Sequence, residues 1–310
     1  MNALVTGGCG FIASNFINSL DGFETIINVD KMSYCSSIEN INKLECRTFY
    51  VDICDEEDMS NLFKTWDFSA VFHFAAQSHV DNSFEDPVSF TRNNTIGTHV
   101  LMEMCRKYAP DAEIIHFSTD EVYGENNTPF GFTEESIMCP TNPYAASKAS
   151  CDMIVQSYIK SFKLNIKIIR SNNVYGRNQF PEKLIPRTVQ LLKSGKKCTV
   201  HGLGIVKRSF IHVDDVCEAV KCVWKRGFSG EIYNISSDYE YSVIEVVKLI
   251  IRHVLNTKDY DSHIEYVKDR PFNDSSYLSD SSKLKSLGWR QKKGHRELIQ
   301  FIKELGTMYS

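Results

Sequence analysis

The chain has 310 residues, 42% hydrophobic and 24% charged, with a formal charge of −4 and a pI of about 6.2. That balance builds a core without metal or disulfide staples. It also lacks the basic excess of a nucleic-acid binder, though it leaves room for one small anion in a local basic pocket. No apolar run approaches the roughly 18–20 residues that span a bilayer, and the opening MNALVTGG shows no charged stretch followed by an apolar signal core. The ten cysteines and nine histidines show no CxxC, HxxxH or HExxH spacing. The expectation is a cytoplasmic protein with reduced thiols and no catalytic metal.

In chain order, apolar runs predict strands at Ala3–Thr6, Thr25–Val29, Thr48–Tyr50, Ala70–Phe74, Glu113–Ser118 and Lys167–Arg170. Several lack polar alternation, as strands buried on both faces do. Amphipathic stretches lie between them, such as Glu56–Thr65 and Thr95–Lys107. This rhythm predicts an α/β fold, a doubly wound parallel Rossmann sheet. After Gly176 the rhythm breaks at Pro181 and Pro186, and a helical piece follows at Thr188–Lys193. A strand near Phe210–Val213 and a helix near Asp215–Trp224 read as a return to the sheet. Two more helical patterns follow, Val243–Leu255 and Arg296–Leu305. The expected division is a Rossmann domain of residues 1–170 and 206–235, and a smaller mixed α/β substrate domain of residues 171–205 and 236–310.

The run LVTGGCGFIAS follows the first strand and opens a helix. Gly7, Gly10 and Ala13 have GxxGxxA spacing, a variant of the dinucleotide fingerprint: a tight turn, a close approach to pyrophosphate, and close helix–strand packing. The helix start offers free N–H groups to the phosphates. Asp30 ends the second strand, where an acid binds the adenosine ribose hydroxyls. A carboxylate there repels a 2′-phosphate, so the expected cofactor is NAD. Asp52-Ile53 reads either as an adenine clamp or as a helix cap. Phe74-Ala75-Ala76 reads either as backbone passing close to the cofactor or as the start of a helix.

Tyr144 and Lys148 form a YxxxK pair, and on a helix i and i+4 share a face. An ammonium beside a phenol lowers its pKa from about 10 and makes Tyr144 a usable base. Thr119-Asp120-Glu121 follows an apolar strand directly, at the carboxyl end where doubly wound folds bind ligands. Helix capping explains a Thr followed by acids equally well.

With these residues in view, the chain resembles the extended short-chain dehydrogenase/reductase family, and within it the nucleoside-diphosphate-glucose 4,6-dehydratases. The matching runs are TGGCGFIAS, FHFAAQSHVDNSFEDP, HFSTDEVYGE, TNPYAASKAS, SNNVYGRNQFPEKLIPR and DRPFNDSSY, spread over residues 6–277. The resemblance implies that Tyr144, with Lys148, takes the C4 hydroxyl proton while NAD accepts the hydride, and that Thr119 positions this hydroxyl. It implies Glu121 as the C5 base and a protonated Asp120 as the acid at C6. Two neighbouring carboxyls with different protonation states suit like-charge coupling. It further implies cofactor contacts from Phe11, Ile12, Lys31, Ser33, Asp52, Ile53, Phe74, Ala75, Ala76 and Asn93.

For the substrate, the resemblance implies Lys183, Arg208 and Arg270 as cationic donors to a diphosphate, where arginine forks suit the geometry. Asn173 matches a diphosphate contact and Ser78 a sugar contact. Thr199 and His201 fall near the nucleobase, and Leu184 and Asn273 complete the set. The runs NNVYGRNQFPEKLIP and DRPFND resemble the dehydratase module of plant-type UDP-rhamnose synthases, which favours UDP-glucose over dTDP-glucose. A separate epimerase/reductase is then expected to complete rhamnose synthesis. An epimerase or decarboxylase on the same scaffold is the alternative reading. The helices at 95–107 and 144–162 resemble those that pair in homodimers of this superfamily. Met102, Met104, Ile154, Val155 and Ile159 then face either a partner or the sheet.

Overall fold

The computed structural model describes residues 1–269 and 274–309. Its first part alternates strands and helices: β1 (Asn2–Thr6), α1 (Phe11–Ser19), β2 (Thr25–Val29), β3 (Cys46–Phe49), α2 (Glu56–Thr65) and β4 (Phe68–His73). Two short helices, α3 (Val80–Glu85) and α4 (Pro87–Phe90), lead through a π-turn at Thr91–Ile96 into α5 (Gly97–Tyr108). Then come β5 (Glu113–Thr119), a 3₁₀ turn at Asp120–Tyr123, α6 (Pro143–Phe162) and β6 (Ile166–Ser171). The remaining elements are β7 (Asn173–Tyr175), α7 (Leu184–Lys193), β8 (Cys198–His201), β9 (Lys207–His212), α8 (Val213–Arg226), β10 (Ile232–Ile235), β11 (Glu240–Ser242), α9 (Val243–Val254), β12 (Ile264–Val267), α10 (Ser282–Ser286) and α11 (His295–Met308).

The main sheet has seven strands in the order β10-β6-β5-β4-β1-β2-β3, every pair parallel. The chain moves outward from β1 to β3, then restarts at β4 on the other side of β1. This reversal opens a crevice beyond the carboxyl ends of β1 and β4, where open α/β sheets bind ligands. The central strands carry no polar alternation because both faces are covered. Phe16, Ile17, Phe72, Ile115 and Val220 form the core under α1 and α8, and Leu4, Leu101, Met102, Ile114 and Val155 form the core under α2, α5 and α6.

A third core joins α7, α9 and α11 through Ile185, Val189, Val246, Ile250, Leu298 and Ile302. The apolar stripe of α9 repeats at three- and four-residue steps, and its start is fixed by a capping box between Ser242 and Glu245. This body lies beside the crevice and supplies its second wall. Two residues of the tail go elsewhere: Leu284 and Trp289 pack into the core under α8, and the Trp289 indole donates to the Asp215 carbonyl.

One sequence expectation is corrected here. The strand at Phe210–Val213 does not return to the main sheet, because β9 pairs with β7 in parallel and with β11 antiparallel in a separate sheet. Asn172 ends the β6 pairing, so the chain peels away as β7 and offers β9 a new edge. The seventh strand of the main sheet is β10, placed against β6 after α8. The choice left open at Met102, Met104 and Val155 falls to the sheet, since all three are buried in the core of this one chain. The exposed apolar side chains of that surface are Ile96, Met153 and Phe162. Among the described residues, no helix is long and apolar enough to cross a membrane.

Candidate active site

A cleft of about 470 Å³ runs from the glycine turn after β1, past the ends of β4 and β5, to the face of α7 and β8. At its sheet end, Gly7 has φ +72°, and a Cβ there would lie 2.8 Å from the Ala75 Cα. Only glycine permits this crossing of the β1 and β4 loops. Gly10 is the N-cap of α1 and contributes no side chain to the cap, so the first N–H groups of the helix face the cleft. Asp30 is buried, and its carboxylate accepts from the backbone N–H groups of Cys9 (3.0 Å) and Met32 (2.8 Å) and from the Ser36 hydroxyl (3.1 Å). These bonds hold the acid at the end of β2.

Phe11, Ile12, Lys31, Ser33, Asp52, Ile53, Phe74, Ala75, Ala76 and Asn93 all line this arm. Asp52 is not a helix cap. Asp55 caps α2, while Asp52 pairs with Lys31 at 3.2 Å. Ala75 and Ala76 begin no helix, since α3 starts at Val80.

The cleft turns at the end of β5. Thr119, Glu121, Tyr144 and Lys148 line the bend. The Thr119 hydroxyl accepts from the Glu121 N–H at 3.3 Å and so caps the 3₁₀ turn, which means the capping and cleft readings hold together. Asp120 is missing from the described wall residues and is 4% exposed. Its Oδ1 accepts from the Thr119 hydroxyl at 3.2 Å and its Oδ2 from the Asn172 amide at 2.5 Å. Burial, followed by the neighbouring Glu121 charge, pushes the Asp120 carboxyl up to about 7. Burial raises Glu121 too, while an amide bond from Asn142 (3.1 Å) and the charges of Arg208 and Lys183 pull it back.

Tyr144 and Lys148 do share a face of α6, but the Lys148 ammonium donates to the Phe117 carbonyl at 2.9 Å. Burial, with the charges of Glu121 and Asp120, holds the Tyr144 phenol above its ordinary value. Burial is the largest cause, the Glu121 and Asp120 charges add to it, and a hydrogen bond with Thr119 works against it.

The far arm holds Ser78, Asn173, Lys183, Leu184, Thr199, His201 and Arg208. Lys183 donates across the cleft to the Ser78 carbonyl at 2.8 Å. Arg208 donates to the Asp274 carbonyl at 2.8 Å and stacks 4.6 Å from the centre of the Tyr277 ring. Arg270 and Asn273 lie outside the described residues. Sequence reasoning missed Asn142, Asn172, Asp274 and Tyr277. Asn142 stands directly before Pro143-Tyr144 and Asn172 directly before Asn173, so adjacency to chosen residues was the available signal. Among the described residues, no group of three or more His, Cys, Asp or Glu is arranged to hold a metal ion.

The chain matches the family described as GDP-mannose 4,6 dehydratase over residues 4–302. It is 43% identical over 315 residues to the human dTDP-D-glucose 4,6-dehydratase, covering 97% of this chain and 89% of that protein. It is 42% identical over 301 residues to an Arabidopsis thaliana trifunctional UDP-glucose 4,6-dehydratase/3,5-epimerase/reductase, covering 94% of this chain but 45% of the plant protein. Among solved structures it is similar to DesIV, a dTDP-glucose 4,6-dehydratase from Streptomyces venezuelae crystallised with NAD. The TM-score is 0.92 at 33% identity, with coverage of 100% of this chain and 97% of that one.

Proposed function

The chain belongs to the GDP-mannose 4,6-dehydratase family, and from that premise we propose that it is an NAD-dependent UDP-glucose 4,6-dehydratase, a lyase forming UDP-4-keto-6-deoxy-glucose as a step toward UDP-rhamnose. The observation that carries this reading is a phenol and a carboxylate, Tyr144 and Glu121, on one bend of the cleft, with a second, raised carboxyl directly behind them. Epimerisation at C4 needs no C5 base and no acid for a leaving hydroxyl; loss of water needs both.

The residues suit NAD, because the glycine turn leaves space for a pyrophosphate at the start of α1 and Asp30 stands at the ribose position. When bound, NAD supplies a hydride acceptor for C4 and later a donor for C6. Tyr144 takes the C4 hydroxyl proton as phenolate, a form that burial and the two carboxyls oppose in this structure and that a cation beside the phenol is required to stabilise. The ketone acidifies C5, and Glu121 removes that proton. Asp120 protonates the departing C6 hydroxyl, which leaves as water, and Glu121 returns its proton to C5. Lys183, Arg208 and Asn173 hold the diphosphate, with Ser78 near the sugar and Thr199 and His201 near the base; Arg270 and Asn273 are assigned to the same arm from sequence. We assign residues 171–205 and 236–310 mainly to substrate binding, with the Leu284–Trp289 stretch as a brace on the Rossmann core.

The enzyme acts as a homodimer through α5 and α6, whose surface exposes Met153 and Phe162. Its ten cysteines are all free, which suits the cytoplasm. dTDP-glucose is the second reading, supported by the name of the human relative. Incubation with UDP-glucose and with dTDP-glucose, without added reductant, followed by product mass analysis, tests the proposal. Loss of one water with the preferred substrate and recovery of NAD are expected. A product of unchanged mass, or turnover only when NADPH is added and consumed stoichiometrically, overturns it.

A further inference from the structure

Asp120 and Glu121 are adjacent in sequence, yet the dehydratase reading asks one to give a proton and the other to take one. Each carboxyl has its own amide donor, and the two donors come from different elements. Asn142 caps α6: its Oδ1 accepts from the Ala145 N–H at 2.8 Å, while its Nδ2 donates to Glu121 Oε2 at 3.1 Å. It is 8% exposed and lines the cleft. Asn172 follows β6: its Oδ1 accepts from the Ser237 N–H at 3.0 Å, and its Nδ2 donates to Asp120 Oδ2 at 2.5 Å and to the Ser279 hydroxyl at 3.2 Å. It is 4% exposed. Neither amide is free to turn over, because each Oδ1 is already committed to a backbone N–H. The donor ends are thereby fixed toward the carboxylates.

We propose that Asn142 and Asn172 are the positioning residues that hold this carboxyl pair apart, Asn142 fixing Glu121 in place as the base and Asn172 fixing Asp120 in place as the acid. The inference rests on the dehydratase reading. Asn142 also ties the base to the first turn of the helix that carries Tyr144, so the bases for the C4 and C5 protons move as one unit. Among the described residues, the other charged or titratable groups facing Glu121 are Asp120, Tyr144, Lys183, Arg208, Asp274 and Tyr277; those facing Asp120 are Glu121, Tyr144 and Arg208.

The test uses the NAD-loaded enzyme and follows three signals: NADH formation, NADH decay, and solvent deuterium entry at C5. Asn142→Ser keeps a good helix cap but is too short to reach Glu121. NADH formation is expected within twofold of wild type, while deuterium entry and NADH decay both slow about tenfold, the size of one hydrogen bond to a charged group. The acid limb of deuterium entry moves up by about one pH unit, because the ionised base has lost a donor. Asn172→Asp keeps the acceptor for Ser237 and removes the donor to Asp120. Deuterium entry is expected to stay near wild type, while the alkaline limb of NADH decay moves up by about one pH unit. Asn172→Ser, smaller and uncharged, tests the same contact with the same expected direction if the aspartate variant does not fold. Unmoved pH limbs in either variant, or equal slowing of all three signals, overturns the proposal. Failure of the dehydratase reading is distinguishable, since wild-type enzyme would then give no dehydrated product with either nucleotide sugar, whether or not NADH forms transiently.

Discussion

The two arms of the cleft are built in opposite ways. The sheet arm is made largely of backbone and small side chains, with Gly7 crossing Ala75 at a distance no Cβ tolerates. The far arm is made of long side chains from separated segments, pinned by bonds that cross the cleft: Lys183 to the Ser78 carbonyl, and Tyr34 to Glu182 at 2.6 Å. Backbone can approach a constant ligand closely without conformational cost, whereas long side chains let the second ligand vary. A substitution on the first arm therefore disturbs cofactor retention, and one on the second disturbs substrate affinity.

The bend between the arms belongs to neither, and the largest effect is expected there. Tyr144→Phe should lower the rate of NADH formation by roughly 10²–10⁴, the usual contribution of one base, with NAD content unchanged; single-turnover absorbance measures it, and an unaltered rate removes Tyr144 from that role. On the sheet arm, Gly7→Ala forces a Cβ against Ala75 and strains a positive φ. A strain of ~1–3 kcal/mol predicts roughly 10–100-fold weaker NAD binding, read by titration, with the KM for nucleotide sugar the less affected. A normal NAD affinity would mean that the two loops can separate.

The acid behind the bend gives a pH signature. The proposed role requires Asp120 protonated, and its carboxyl is raised to about 7, so elimination should be full below that value and fall about tenfold per pH unit above it. NADH decay followed from pH 6 to 9 checks this, and a flat profile removes Asp120 as the acid. On the far arm, Lys183→Ala should raise the KM about tenfold, as loss of one charge-assisted contact does, without loss of NAD. Release of NAD by this variant would erase the distinction between the arms. The smallest effect is expected from Tyr34→Phe. That bond joins the arms at the surface, where Tyr34 is 58% exposed, and solvent screening limits it to about twofold in the NAD dissociation rate.

Local chemistry made the sheet arm legible in the sequence. A glycine turn after an apolar strand and an acid at the next strand end are one-dimensional signals, because the turn, the helix start and the strand end are close in the chain. Continuous apolar runs predicted six of the seven strands of the main sheet, since burial on both faces removes polar alternation. Tyr144 and Lys148 were legible as a helical pair for the same reason.

What the sequence could not decide was direction and company. Lys148 lies one turn from Tyr144, but only the packed position of the Phe117 carbonyl turns its ammonium away. Whether β9 joins the main sheet depends on which strand takes the edge of β6; β10 takes it, and β9 pairs with β7 instead. Asp120 and Glu121 are neighbours in the chain, yet amides from the start of α6 and the end of β6 hold them in different surroundings. The sequence by itself determined the fold class, the cofactor turn and the residue types of the bend, because these depend on contacts between near neighbours. Tertiary structure alone decided which carboxyl faces the cleft, since desolvation and hydrogen bonding are set by groups that meet only when distant segments pack.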